Sequence, residues 1–245
     1  MNNAILKSDR LILKPLDLER DLEALFRIHQ DPETMRFQPS PPHTSPDDTR
    51  KEFEQSLAIP GAQYWSVFLE NESGAIGVVN YLGHTRIPGM GYILRKDHWN
   101  QGITTEACGL VLDYGFDTLG FERVELWIDE TNLASQRVAT KLGFRHTGRI
   151  PLKYAHNPDS HVMGTWGLWA EEWRGETRHT EEATLYHVEP VLLVEDVTEA
   201  ANYYQDKLGF RIDFLYGEPP DHVGVSRGDW TGSRVTIQLS QHTAP

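Results

Sequence analysis

Leu94-Arg95-Lys96-Asp97-His98-Trp99-Asn100-Gln101-Gly102-Ile103-Thr104-Thr105-Glu106 is the stretch on which the fold turns. It reads as the end of a short strand, a turn, and the opening of a helix. Ala107, Leu110, Val111, Tyr114 and Phe116 continue it at helical spacing to about Leu119, and Gly120 stands where a C-cap would. Such a turn delivers several backbone N–H groups and a helix N-terminus to one spot, which suits the two phosphates of a pyrophosphate. Downstream, Arg123–Ile128 alternates as a strand, and Leu133–Leu142 is a second helix with Asn132 ahead of it and Gly143 behind.

Working outward toward the N-terminus, Arg10–Leu16 has the alternation of a strand stopped by Pro15. Asp17–Gln30 has helical spacing with Asp17 as N-cap. Residues 37–46 hold four prolines and form a loop, and a further helix runs from Asp47 to Ala58. A loop so placed between two helices serves either as a substrate lid or as an inert connection. From Gln63 the period changes to two: 64–70 and 75–82 pair across Asn71-Glu72-Ser73-Gly74, and 91–94 adds a third strand. Two more strands are expected at 145–154 and 161–169, turning at Asn157-Pro158-Asp159-Ser160.

Composition bounds the function. The 245 residues are 39% hydrophobic and carry a net charge of -13, with no Lys/Arg block, which argues against nucleic acid as a partner. An acidic surface favours cationic substrates or is simply a solvated exterior. No apolar run approaches the roughly 18 residues needed to span a bilayer, and residues 1–8 lack a signal-peptide pattern, so no membrane association is expected. The single cysteine, Cys108, fits a reducing cytoplasm and a buried, unreactive position. Gly-x-Ser-x-Gly, His-Glu-x-x-His and Gly-x-x-x-x-Gly-Lys-Ser/Thr motifs are absent, and the His156/His161 pair is a weak metal candidate.

The element order, with Ser8-Asp9-Arg10-Leu11-Ile12-Leu13-Lys14-Pro15-Leu16, the turn Trp99–Glu106 and Asn132-Leu133-Ala134-Ser135-Gln136-Arg137-Val138-Ala139-Thr140-Lys141-Leu142-Gly143-Phe144, resembles the GNAT N-acetyltransferase superfamily over about residues 8–173. Within it the likeness is to the branch that acetylates protein N-termini, ribosomal proteins included. The resemblance implies an α/β fold with a GNAT-type mixed, mainly antiparallel central sheet flanked by helices. It also implies direct transfer of acetyl from acetyl-CoA to a primary amine: a protein N-terminus, or a small amine such as a polyamine or aminoglycoside. No metal is expected. Where the family has Gln/Arg-x-x-Gly-x-Gly/Ala, this chain has Trp99, Asn100, Gln101, Gly102, Ile103 and Thr104. Asn100 replaces a Gly that its branch favours and is able to take a left-handed conformation. Thr104 places extra atoms where backbone and pyrophosphate approach closely.

By the same resemblance, Asn100, Gln101, Gly102, Thr104 and Thr105 hold the phosphates, and Ile93, Leu94 and Arg95 line the pantetheine arm. A backbone N–H at Leu94 polarises the thioester carbonyl, Asn132 bonds the arm, and Ser135 protonates the departing thiolate. Helix capping is the alternative use of Asn132 and Ser135. Many relatives carry a Glu at the place of Gly89, so the base stays open between His84, Glu125 and a water relay. Glu106 is explained by the helix dipole.

After Trp173 the chain turns polar. Residues 176–184 read as a linker between an acetyltransferase domain, 1–175, and a βαβββ module, 185–245. Pro190-Val191-x-x-Val194-x-Asp196 and Tyr204-x-x-x-Leu208-Gly209-Phe210 resemble one module of the glyoxalase/bleomycin-resistance (vicinal oxygen chelate) superfamily. Metal-binding members place His on the first strand and Glu on the fourth, where Glu189 and Gln238 stand here, so metal catalysis is not expected. A lone module leaves a sheet edge and an apolar face to cover, which predicts a homodimer through this module. The competing function is a non-catalytic, drug-binding protein in which the acetyltransferase fold is a scaffold.

Overall fold

The computed structural model describes residues 4–83, 87–150, 162–175, 191–217, 219–227 and 235–241. The chain divides into two compact units; among the described residues one runs from β1 to α6 and the other from β9 to β12.

In the first unit, β1 (Leu6–Lys7), β2 (Leu11–Pro15), β3 (Gln63–Leu69), β4 (Gly77–Tyr81) and β5 (Met90–Leu94) form a sheet in that order, every neighbour antiparallel. A second sheet has the order β6 (Arg123–Asp129), β8 (Met163–Trp169), β7 (Arg145–Ile150), with β6 and β8 antiparallel. The central sheet is therefore split. Among the described residues the two halves share a parallel bridge between Gly89 and Glu125, where the Glu125 N–H donates to the Pro88 carbonyl at 2.9 Å. Beyond that bridge the ladder does not continue, and β5 and β6 leave a wedge between them.

One face of the unit is covered by α4 (Ile103–Asp113) and α5 (Leu133–Lys141). There Leu11, Trp65, Tyr81 and Met90 of the first sheet pack with Val124, Leu126, Ile128 and Leu168 of the second, around Ala107, Cys108 and Val111 of α4. α4 continues through a π-helical turn, Tyr114–Thr118, before Gly120 ends it at φ +70°. On the other face α1 (Leu18–His29) and α3 (Pro46–Leu57) place Leu25 and Phe53 on Val78. Asp17 caps α1 as the sequence predicts, whereas α3 starts one residue early because Pro46 occupies its first turn and Ser45 forms a capping box with Asp48. The proline-rich loop also follows a short helix, α2 (Pro32–Met35), that periodicity does not reveal. α6 is a single turn, Ala170–Trp173.

The second unit has the expected βαβββ order: β9 (Val191–Val194), α7 (Val197–Leu208), β10 (Arg211–Gly217), β11 (Pro220–Arg227) and β12 (Val235–Gln241). Its sheet order is β10-β11-β12-β9, antiparallel except for β12 with β9. Val197 and Ala201 of α7 pack on Val223, Val225 and Leu239. The alternate residues His222 and Gln238 face the other way, and His222 Nε2 donates to Gln238 Oε1 at 2.9 Å. The 176–184 linker, the 157–160 turn and Glu189 lie outside the described residues. Among the described residues no helix is long and apolar enough to cross a membrane.

Candidate active site

The wedge is built by strand alternation. Leu82 N–H donates to the Gly89 carbonyl and Arg95 N–H to the Ile76 carbonyl, each at 2.8 Å, so the odd-numbered residues of β5 turn their polar groups to β4. The N–H groups of Tyr92 and Leu94 consequently turn to the wedge. The Leu94 carbonyl is occupied, accepting from Trp99 Nε1 at 2.8 Å. Ile93 and Arg95 direct their amides into the sheet. The Arg95 guanidinium is drawn off to Glu72 at 2.8 Å and Asp97 at 2.7 Å, so Arg95 stands apart from the residues that converge.

After β5 the chain makes a 3-10 turn, Lys96–His98, and then two left-handed steps, Asn100 at φ +61° and Gly102 at φ +75°. The first is costly for most residues and tolerated by Asn, which is why this place accepts a non-glycine. Gly102 is the N-cap of α4 and supplies no capping side chain, while Glu106 N–H makes the first helical bond, to the Gly102 carbonyl at 3.0 Å. The N–H groups of Ile103, Thr104 and Thr105 are thus free at the positive end of the helix dipole. Thr104 lies in the first turn, half-buried. Gln101 anchors the turn by donating from Nε2 to the Asp97 carbonyl at 3.0 Å.

Sequence reading missed the underside of this turn. Arg10, at the entry to β2, donates from Nε to Glu106 at 2.7 Å and from Nη2 to the Gln101 carbonyl at 3.1 Å. Ser8 donates to the other Glu106 oxygen at 2.6 Å. These bonds, with burial opposing them, hold the Glu106 carboxyl below its usual range. Ser8-Asp9-Arg10 was visible only as a family-like string, because its partners lie more than ninety residues away.

Across the wedge, Asn132 caps α5: its Oδ1 accepts from Ser135 N–H at 3.1 Å. The capping use is therefore present, and the Asn132 amide nitrogen remains beyond it as a donor. Tyr92 was also missed. Its hydroxyl crosses from β5 to α5 and donates to the Ser135 carbonyl at 3.3 Å. Burial, with the neighbouring Cys108, pushes its pKa up. The Tyr92 hydroxyl stays protonated through the neutral range.

Among the base candidates, His84 lies outside the described residues. Glu125 pairs with Gly89 at the apex of the wedge, on the β6 face opposite Val124 and Leu126, and its carboxylate is bonded by Arg123. Cys108 is fully buried, and burial pushes its thiol up, which leaves it inert. His156 and His161 are outside the described residues; among the described ones no cluster of three His, Cys, Asp or Glu side chains is arranged for a metal.

On the α1/α3 side, His29 stacks on His43 with centroids 5.1 Å apart, and His43 Nε2 donates to Glu52 at 3.0 Å. His29 Nδ1 faces the Leu25 carbonyl at 2.7 Å and must donate, so the proton sits on Nδ1. Burial pulls the His29 pKa down. The proline-rich loop is fastened by this cluster, since the His43 N–H donates to the His29 carbonyl at 2.9 Å.

A strand edge with free N–H groups, followed by a left-handed turn and an uncapped helix N-terminus, suits an extended ligand with an amide-bearing arm and a diphosphate. Residues 10–145 match the family model described as Acetyltransferase (GNAT) domain. The uncharacterized N-acetyltransferase p20 of Bacillus licheniformis is 28% identical over 151 residues, 59% of this chain and 84% of that protein. The spermidine N(1)-acetyltransferase of Escherichia coli strain K12 is 22% identical over 139 residues, 56% of this chain and 74% of that protein. The fold is shared with the spermidine N-acetyltransferase of Vibrio cholerae, solved with CoA and spermine, at a TM-score of 0.60 and 16% identity over 68% of this chain and 99% of that one. With the split sheet, the turn and the matched residues taken together, the chain belongs to the GNAT family of acetyltransferases.

Proposed function

We propose that this acetyltransferase moves an acetyl group from acetyl-CoA directly to a primary amine, with residues 1–175 as the catalytic domain. The carrying observation is the wedge: Tyr92 and Leu94 present backbone N–H groups along one edge that ends at the free N-terminus of α4. Acetyl-CoA supplies a thioester whose acyl group is activated toward amines. The N–H groups of Gly102–Thr105 with the helix dipole hold the pyrophosphate, and Asn100 shapes the approach. The edge N–H of Leu94 and its neighbour Tyr92 bond the arm and stabilise negative charge on the thioester oxygen. Asn132 donates its amide to the arm. Ser135 gives a proton to the departing sulfur, a modest demand because a thiol is a good leaving group. Glu125, at the wedge apex, takes the proton of the incoming amine, directly or through water.

The acceptor is a primary amine, either a small cation such as a polyamine or aminoglycoside or a free peptide N-terminus. The net charge of -13 supports the cationic class, and so does the relation to the spermidine enzyme of Escherichia coli. The 185–245 segment, joined through the 176–184 linker, is an accessory module resembling glyoxalase/bleomycin-resistance proteins that pairs with its counterpart in a second subunit. Leu192 and Leu193, 39% and 57% exposed on the outer strand β9, support that pairing.

Thermal shift with acetyl-CoA tests the reading. Stabilisation that rises with concentration is expected, and no shift at near-millimolar acetyl-CoA favours the drug-binding alternative. A CoA-release screen over polyamines, aminoglycosides and peptides then selects the acceptor. Ser135→Ala should lower turnover about ten-fold while leaving acetyl-CoA binding intact; equal turnover removes Ser135 from the mechanism.

A further inference from the structure

We infer that Arg10 is the positioning residue of the cofactor turn, aiming the Gly102 N–H and cancelling the Glu106 charge beneath the phosphates. The inference rests on the reading that the N-terminus of α4 holds the pyrophosphate. Glu106 stands in the opening of that helix, where a carboxylate suits the dipole but repels a second anion at the same end. Its two oxygens are both committed. One accepts from Ser8 Oγ at 2.6 Å, and the other receives Arg10 Nε at 2.7 Å and Nη2 at 2.6 Å. A guanidinium gripping one carboxylate oxygen with two nitrogens neutralises it at close range.

The same guanidinium does a second thing. Nη2 also donates to the Gln101 carbonyl at 3.1 Å. The Gln101–Gly102 peptide is planar and trans, so a carbonyl turned to Arg10 forces the Gly102 N–H to point the opposite way, out of the turn. Gly102, at φ +75°, has no Cβ to resist other orientations of that plane, and Arg10 removes this freedom. The Ser8 hydroxyl also accepts from the Leu11 N–H at 3.1 Å, which fixes the clip to the start of β2. β1–β2 thereby acts as a rigid backing for a turn some ninety residues away.

A donor lacking the pyrophosphate separates this role from a structural one. Steady-state kinetics would compare acetyl-CoA with S-acetylpantetheine in the full chain, for wild type, Arg10→Ala, Arg10→Lys and Glu106→Gln. The expected result for Arg10→Ala is an approximately ten-fold higher KM for acetyl-CoA, the effect of one charge-assisted bond, with kinetics on S-acetylpantetheine unchanged. Arg10→Lys, which keeps the charge and loses the fork, should fall between. Equal losses with both donors, or no loss with either, overturn the role of Arg10. A wild type that uses both donors equally well instead overturns the pyrophosphate reading beneath it. If Arg10→Ala does not fold, Arg10→Lys carries the test by a smaller rise in KM confined to acetyl-CoA; Glu106→Gln, which removes the charge that Arg10 cancels, should not raise KM for acetyl-CoA as Arg10→Ala does.

Discussion

Replacing Gly102 by Ala isolates the conformational demand of the turn. A Cβ built on Gly102 meets only Arg10 Nη2 at 3.7 Å, an ordinary contact, so steric clash contributes nothing. What remains is φ +75°, a left-handed backbone that costs an L-residue about 1–2 kcal/mol. Reduced freedom of the unfolded chain returns about 0.4–1 kcal/mol, leaving a net loss of about 1 kcal/mol. For a chain of this size that lowers Tm by about 2–4 °C. The turn has one other response, which is to relax to negative φ and keep its stability. The N–H groups ahead of α4 then lose their common aim, and losing one charge-assisted bond weakens acetyl-CoA about ten-fold or more. Thermal melts with and without acetyl-CoA read both branches, since a stability loss and an affinity loss appear separately. Asn100→Gly is the counter-test: glycine accepts φ +61° freely, so acetyl-CoA affinity should be retained. A Gly102→Ala protein with both Tm and acetyl-CoA affinity unchanged would refute the reasoning.

Two further outcomes are expected. Tyr92→Phe removes the hydroxyl that bonds the Ser135 carbonyl in the first turn of α5 and should lower kcat several-fold with KM for acetyl-CoA unaltered; combined with Ser135→Ala its effect should be less than additive, and full additivity would uncouple the two residues. Because burial holds folded His29 below its ordinary value, the unfolded chain takes up the proton first as pH falls. Stability is therefore complete above about pH 6.5 and declines below it, by at most about 1.4 kcal/mol per pH unit from this group. His29→Asn should flatten that slope in melts followed by tryptophan fluorescence, and an unchanged slope would clear His29 of the effect.

Much of the architecture was legible because its signals are local. Asp17, Asn132 and Asp196 each precede an apolar helical period and each proves to be an N-cap. Gly120, Gly143 and Gly209 end their helices in left-handed conformations, as glycine after a helix implies. What escaped depends on contacts between distant segments. A split in the sheet leaves no trace in the alternation of either strand, since Leu94 and Arg123 read as ordinary strand residues on both sides of it. Arg10 looks like any strand-flanking cation until Glu106 is folded against it. Tyr92 reads as a β-former, and nothing in Gly91-Tyr92 announces that its hydroxyl ends at Ser135. The fit of Arg95 to a ligand edge was inferred from position alone, while the parity of the β4 ladder turns its amide away.

The division of the central sheet carries one more consequence, for how such a protein can change over generations. The opening between β5 and β6 is set by little backbone pairing, and its width is instead governed by the side chains that fill the cluster uniting both halves, among them Tyr81, Met90, Leu126 and Leu168. Enlarging any of them to gain stability wedges the halves apart or pulls them together, and so regauges the slot between β5 and β6. Improvement of the interior and preservation of the opening are thus coupled in the same residues, and the α1/α3 side shares in this through Ile93 of β5, which packs against Leu25, Phe53 and Val78.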